Sequence, residues 1–177
     1  LTDSNGSEVI LQNNTLEFAS TTEDPVEKTL TNHIDTPQKW DAEHPNLYTL
    51  TATVFQDGIE TERIEKKIGF REIQVKGSTV YVNGDPIKLR GVNYSDHRPD
   101  LGVANDKEYQ KKILENLKKA NVNFIRTAHC PQSDYFYSLC DELGFYVESE
   151  ASIFFIGMNS TQASSLSSDP DYKDAYL

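Results

Sequence analysis

The sequence predicts a mixed fold in two parts. An antiparallel β-sandwich of immunoglobulin-like kind is expected over residues 1–75, and parallel strands joined by helices over residues 76–177. Three observations carry this. Residues 1–75 lack a sustained 3.6-residue period and are rich in Thr, Val, Ile and polar alternation, the pattern of half-buried strands. From Ile87 onward the pattern becomes extended, helical, extended, helical, extended, which argues for parallel strands with helical crossovers. The dipeptides Asp57-Gly58, Lys76-Gly77 and Asn83-Gly84 mark turns in the first part and at the junction.

In order, EVILQ (8–12), TLEFA (15–19), VEKTLTN (26–32), LYTLTATVFQ (47–56) and IETERIEKKI (59–68) read as strands. Asp57-Gly58 joins the last two as a hairpin, because both central positions of a type I′ turn need positive φ. Leu47, Thr49, Thr51 and Val54 cannot all share a face with Leu50, so that strand is buried on both sides or carries a bulge. No early segment pairs obviously with the first, so the sandwich is expected to lack strands at its amino end. Residues 68–93 form the junction. STVYV makes a short hairpin arm, Pro86 keeps Asp85 out of a helix, and the boundary falls near Val75 to Gly77.

IKLRGVN (87–93) then opens the second part. Asn105 and Glu108 form a capping box before a helix over 106–120, whose Tyr109, Ile113, Leu114, Leu117 and Ala120 make one apolar stripe. Lys111, Lys112, Lys118 and Lys119 fall on its other, solvated face. VNFIRTAH (122–129) is the second strand. Ser133 caps a helix over 133–143 with Phe136, Leu139, Cys140 and Leu143 as its stripe, Gly144 follows as a left-handed terminus, and FYVESEA (145–151) is the third strand. A Ser-rich loop follows, with a helix start at Asp169-Pro170.

Composition narrows the function. A formal net charge of −11 opposes non-specific binding to nucleic acid or an anionic membrane and suits a neutral or cationic partner, an uncharged sugar among them. No apolar run approaches the roughly 20 residues of a membrane span, and no leader-like segment opens the chain. A mature secreted segment would look the same, so a cytoplasmic and a secreted or periplasmic location both stand. Cys130 and Cys140 have no zinc-ligand spacing and read as two free thiols packed as small apolar residues. Asn-x-Ser/Thr triplets at Asn5, Asn13, Asn93 and Asn159 say nothing without a compartment.

The chemistry-bearing residues gather where the last three strands end, the edge used for catalysis in β/α barrels. Arg90, Asn93, Asp96 and His97 surround the end of the first strand and suit hydroxyl recognition, or a salt-bridged loop. In IRTAH, alternation puts Ile125 and Thr127 on one face and Arg126 on the other; an arginine aimed into a barrel mouth requires a carboxylate. His129 leaves that strand just before Cys130-Pro131. Glu148 and Glu150 share a side of the third strand and are as suited to pairing with Arg90 or Arg126 as to acid–base work.

With these residues in view, the sequence resembles glycoside hydrolase family 2, the β-galactosidase and β-glucuronidase family. WDAEHPNLYTL (40–50) and IGFREIQV (68–75) look like the close of its immunoglobulin-like domain. NGDPIKLRGVNYSDHRPDLG (83–102), ILENLKKANVNFIRTAHCP (113–131) and FYSLCDELGFYVESEA (136–151) look like the opening of its barrel. The resemblance implies a partial immunoglobulin-like sandwich followed by the first three β/α units of a (β/α)8 TIM barrel, and hydrolysis of a β-linked sugar with retention. It also implies that Arg126 sits beside the nucleophile, that His129 contacts substrate, that Arg90 and Asn93 belong to the RGVN motif, that Asp96 and His97 follow it, and that Glu150 is the glutamate of an Asp-Glu-Ala-Asn strand.

Departures refine that implication. Ser95 stands where a sugar-contacting histidine is usual, and the Asp-Glu-Ala-Asn stretch reads Ser149-Glu150-Ala151-Ser152. Phe154 and Ile156 occupy the magnesium-ligand positions of the metal-dependent β-galactosidases, so no metal or other cofactor is expected. The acid/base and nucleophile glutamates are expected beyond Leu177. The chain is therefore read as an interior piece, inactive alone, whose partners are a β-linked carbohydrate and the rest of the parent enzyme, with a homo-oligomeric parent compatible. β-Glucuronidase or β-mannosidase specificity, and a non-catalytic carbohydrate-binding or scaffold derivative, are the alternatives.

Overall fold

The computed structural model describes residues 1–18, 26–103, 106–151 and 170. Strands β1 (Tyr48–Gln56) and β2 (Ile59–Ile68) form an antiparallel ribbon. Asp57 and Gly58 close it with φ of 53° and 79°, the left-handed pair that a type I′ turn demands. The register shifts between Val54 and Phe55, so the mismatched side-chain pattern of this strand is resolved by a bulge.

The expected strands at 8–12, 15–19 and 26–32 do not form in the described residues, and residue 19 lies outside them. Thr2 makes isolated bridges to Glu8 and Thr49. Ile10 is 85% exposed and Phe18 55%. Alternation supplies a face but not a partner, and an extended segment without a neighbouring strand gains neither ladder hydrogen bonds nor burial. The apolar residues of one ribbon face, Leu50, Val54 and Ile64, are likewise exposed; among the described residues no second sheet covers that face.

Strands β3 (Ile73–Lys76), β4 (Thr79–Val82) and β5 (Asp85–Pro86) make a small antiparallel sheet at the junction. A parallel sheet follows in the order β6 (Gly91–Tyr94), β7 (Phe124–Thr127), β8 (Tyr146–Ser149). Helix α1 (Lys107–Lys119) connects its first pair and α2 (Asp134–Leu143) its second.

The α1 cap differs from expectation. Asp106 is the N-cap, accepting from the Tyr109 N–H at 2.7 Å, while its other oxygen meets Arg98 at 2.6 Å; Asn105 lies outside the described residues. The Tyr109 N–H and the guanidinium together hold the Asp106 carboxyl below the usual range, as a helix N-terminus favours. The α2 terminus follows the sequence: Ser133 accepts from the Phe136 N–H at 3.3 Å, and Gly144 ends the helix at φ 76°.

Two apolar clusters fix the sheet. Between sheet and helices lie Tyr94, Leu114, Ile125, Phe136, Leu139, Cys140 and Phe145, all buried. On the opposite face, at the amino-terminal edge, Trp40, Ala42, Val82 and Tyr146 pack with Phe124. Trp40 is the hub: its indole N–H donates to the Asp141 carbonyl at 2.8 Å and its ring meets Tyr146 edge-on at 5.6 Å.

Lys118 corrects the solvated-face reading. Its ammonium donates to the carbonyls of Ala42 at 2.6 Å and Gly144 at 2.9 Å, joining the Trp40 segment to the end of α2. Burial depresses its pKa below the lysine norm, against the opposing pull of Glu43 and Asp41. The side chain is near the end of α1, where a cation suits exposed carbonyls.

The two thiols also part company. Cys130 is exposed and Cys140 buried, where burial pushes the Cys140 thiol up to about 12. Thiolate is the reactive form, so a disulfide reagent at neutral pH is expected to modify Cys130 in the native chain and Cys140 only on unfolding. Raising the folded pKa favours the neutral thiol. Its stabilising share is full below the free-thiol pKa of about 8.5 and fades as pH climbs through that value towards about 12. Equal labelling of both cysteines in native protein would contradict the burial.

Candidate functional site at the carboxyl edge of the parallel sheet

Register places the site. Asn93 pairs with Arg126, and Arg126 with Glu148, so these three share a face. Ile125 and Thr127, on the opposite face, are fully buried. That burial leaves Arg126 on the face away from the helices, as the alternation of IRTAH predicts. Lower on the same face sit Phe124 and Tyr146, covered by Trp40 and Val82. One end of this face is therefore plugged with apolar side chains and the other lined with polar ones.

At the polar end one carboxylate joins two basic groups. Glu150 accepts from Arg126 through Oε1, and its Oε2 lies 3.3 Å from His129 Nδ1. Arg126 also donates to the Asn93 side-chain oxygen at 3.3 Å. The Glu150 N–H donates to Thr127 Oγ1 at 3.2 Å, so the end of β8 is tied to β7 by backbone as well as by charge. The Arg126 side chain is 33% exposed and that of Glu150 26%. At this depth an unpaired guanidinium would be costly, and the carboxylate removes that cost. The result is a fixed cation with N–H groups to offer an anion or hydroxyl. Glu148, the register neighbour of Arg126, is exposed, and Arg126 takes Glu150 instead.

Other expected site residues go elsewhere. Arg90 sits at the opposite, amino-terminal edge, donating to the Asn121 carbonyl at 3.0 Å and its side-chain oxygen at 3.1 Å, with Glu43 at 3.8 Å. The reason is polarity: Arg90 precedes β6 and so lies at the start of the strand, a strand's length from its carboxyl edge. Asp96 accepts from the Tyr94 hydroxyl at 2.8 Å and from Gln110 at 3.4 Å. With its amide turned to suit the neighbours, Gln132 donates to both Asp96 oxygens at 3.2 and 2.5 Å. Asp96 thus braces the loop after β6 against α1 and against the loop after β7. His97 and Ser95 are exposed and hydrogen-bonded to each other at 2.6 Å.

Thr127, Gln110 and Gln132 were not among the expected site residues. A signal existed for Gln110, a polar residue inside the apolar stripe of α1, which buries to 5% exposure. None existed for Gln132. Phe154 and Ile156 lie outside the described residues. Among the described residues no group of three His, Cys, Asp or Glu side chains is placed to hold a metal ion. No described helix is long and apolar enough to cross a membrane.

A polar patch with a fixed guanidinium–carboxylate–imidazole cluster lies at the carboxyl edge of a β/α sheet, the edge that carries the active sites of β/α-barrel enzymes. Comparison with known proteins supplies the family. Residues 73–177 match the glycosyl hydrolases family 2 TIM barrel domain and residues 1–71 match glycosyl hydrolases family 2. The chain belongs to glycosyl hydrolase family 2. It is 37% identical over 166 residues to a Vibrio vulnificus β-galactosidase, covering 93% of this chain and 16% of that protein. With a Staphylococcus xylosus β-galactosidase it shares 43% identity over 120 residues, 68% of this chain and 12% of the relative. The structure of Parabacteroides merdae β-glucuronidase superposes with a TM-score of 0.74 at 29% identity, covering 85% of this chain and 19% of that one. The chain thus spans less than a fifth of the length of each.

Proposed function

We propose that this chain supplies the first three β/α staves of a (β/α)8 barrel in a retaining β-glycoside hydrolase, together with part of the preceding immunoglobulin-like domain. The observation that carries the reading is the Glu150 carboxylate shared between Arg126 and His129 at the carboxyl edge. Among the described residues β6 and β8 each have a single ladder partner, and edges of that kind call for further strands.

Retention needs two carboxyl groups about 5–5.5 Å apart, one attacking the anomeric carbon and one serving as acid and then base. The likeness to family 2 assigns both roles to glutamates elsewhere in the parent enzyme, and leaves Glu150, engaged by Arg126 and His129, as a support. Arg126 stands beside the nucleophile, where a guanidinium keeps a carboxylate ionised. Asn93 and His129 offer hydrogen bonds to sugar hydroxyls. The names of the curated relatives favour a β-galactoside. The 0.74 TM-score against a β-glucuronidase keeps a β-glucuronide as the second reading.

Aryl β-galactoside and aryl β-glucuronide assays test this. The 177-residue chain is expected to turn over neither. A family 2 polypeptide containing this segment should cleave one of them and release the β-anomer first. Turnover by the chain alone would refute the assignment of the catalytic pair to other segments.

A further inference from the structure

We propose that Asn5 is a site of spontaneous covalent modification, losing ammonia through a cyclic imide with Gly6, and that the isoaspartyl product releases the amino-terminal hairpin from β1. The chain holds two Asn-Gly dipeptides, Asn5-Gly6 and Asn83-Gly84. Asparagine is among the thermolabile residues, and a following glycine puts no Cβ in the way of backbone attack on the carboxamide. By sequence the two dipeptides share one chemistry; their hydrogen bonds separate them.

Asn83 is held at both ends of its amide. Its Oδ1 accepts from the Glu72 N–H at 3.0 Å and its Nδ2 donates to the Trp40 carbonyl at 3.0 Å, so Cγ cannot turn towards the Gly84 nitrogen until both bonds break. Asn5 is exposed, and among the described residues its carboxamide has no hydrogen-bond partner. Its loop is clamped at the ends: the Asp3 N–H donates to the Ser7 carbonyl at 2.9 Å and the Ser7 N–H to Asp3 Oδ1 at 2.8 Å. Inside the clamp the Gly6 N–H donates to the Asp3 carbonyl at 3.1 Å, and that bond must open for the nitrogen to meet Asn5 Cγ. Around Gly6 nothing lies within 4 Å of a built Cβ, so the segment can rotate without collision.

The step needs only water. The Gly6 nitrogen bonds to Asn5 Cγ, its proton passes through solvent to Nδ2, and the Cγ–Nδ2 bond breaks to release ammonia. Water then opens the imide at either carbonyl. One opening leaves aspartate; the other runs the main chain through Cβ and Cγ as isoaspartate, and both place a new carboxylate near Asp3. Isoaspartate also lengthens a loop whose ends are pinned by the clamp and by the Thr2–Glu8 bridge. Thr2 exchanges both backbone hydrogen bonds with Thr49 of β1, at 2.9 and 2.8 Å, so a hairpin that no longer closes uncovers the start of that strand.

Peptide mapping by mass spectrometry of the 177-residue chain, incubated at mildly alkaline pH both folded and in urea, tests the assignment. In the folded chain Asn5 should convert about tenfold or more faster than Asn83, whose two hydrogen bonds must be given up first; in urea the two rates should converge. A folded ratio no greater than that in urea, or no conversion at Asn5 in the folded chain, would overturn the proposal. Hydrogen exchange at the Thr49 amide reads the second part. The isoaspartyl fraction should lose most of the protection seen in the unmodified chain, and unchanged protection would overturn the release.

Discussion

Replacing Trp40 by alanine is expected to lower the unfolding free energy by about 4 kcal/mol, the middle of the range for a buried aromatic cut back to a methyl. Trp40 is 2% exposed, and three kinds of contact vanish with it. The ring's edge-on contact with Tyr146 is lost, and so is its packing on Gly69, where an added Cβ would sit 3.1 Å from Trp40 Cγ. The Arg71 guanidinium loses the ring face it occupies at 5.1 Å. The Asp141 carbonyl loses its indole donor. Trp40→Phe separates these, since it keeps much of the burial and removes the N–H, for a cost nearer 1–2 kcal/mol. Urea unfolding of the three proteins checks the order, and a loss below about 1 kcal/mol for alanine would show that the plug contributes little to the joint.

Gly144→Ala is expected to cost about 3 kcal/mol or more, for two reasons that add. At φ 76° an L-residue pays roughly 1–2 kcal/mol for the left-handed conformation. A Cβ there would also lie 2.3 Å from the Ala42 carbonyl oxygen and 3.1 Å from Lys118 Nζ. The ammonium can move, but the carbonyl belongs to backbone held by the Tyr146 hydroxyl at 3.3 Å and by Lys118 itself. Gly58 supplies the control: its φ is +79° with nothing within 4 Å of a built Cβ, so Gly58→Ala should cost only the conformational part, roughly 1–2 kcal/mol. Equal losses at the two positions, measured by thermal unfolding, would mean that Ala42 yields freely.

These two sites also show what the sequence could and could not reveal. Gly144 was legible as a helix end, because a glycine after Phe136, Leu139, Cys140 and Leu143 has a local reason. Its contact with Ala42, about a hundred residues earlier in the chain, had no local trace. The same holds for Lys118, whose position among Lys111, Lys112 and Lys119 reads as solvated until the Trp40 segment folds over it. Trp40 appeared only as part of a motif. Conversely, β6, β7 and β8 and both helices followed from periodicity, and the face of Arg126 followed from parity within one strand. Arg90 was misplaced because a motif groups residues by adjacency, whereas a strand sends its two ends to opposite edges of the sheet. The early strands failed for a further reason: a β-pattern states which face is apolar and leaves the neighbouring strand undetermined.

Steady-state kinetics of Arg126→Ala, in a family 2 polypeptide containing this segment and on the aryl glycoside that it cleaves, address the sugar-facing edge most directly. Loss of a preorganised cation beside the reacting groups should lower kcat about 10²- to 10³-fold with KM little changed, and Arg126→Lys should recover only part of the loss. A kcat within about threefold of the unsubstituted enzyme, in a variant that folds, would place Arg126 outside the chemistry and contradict the reading of this edge.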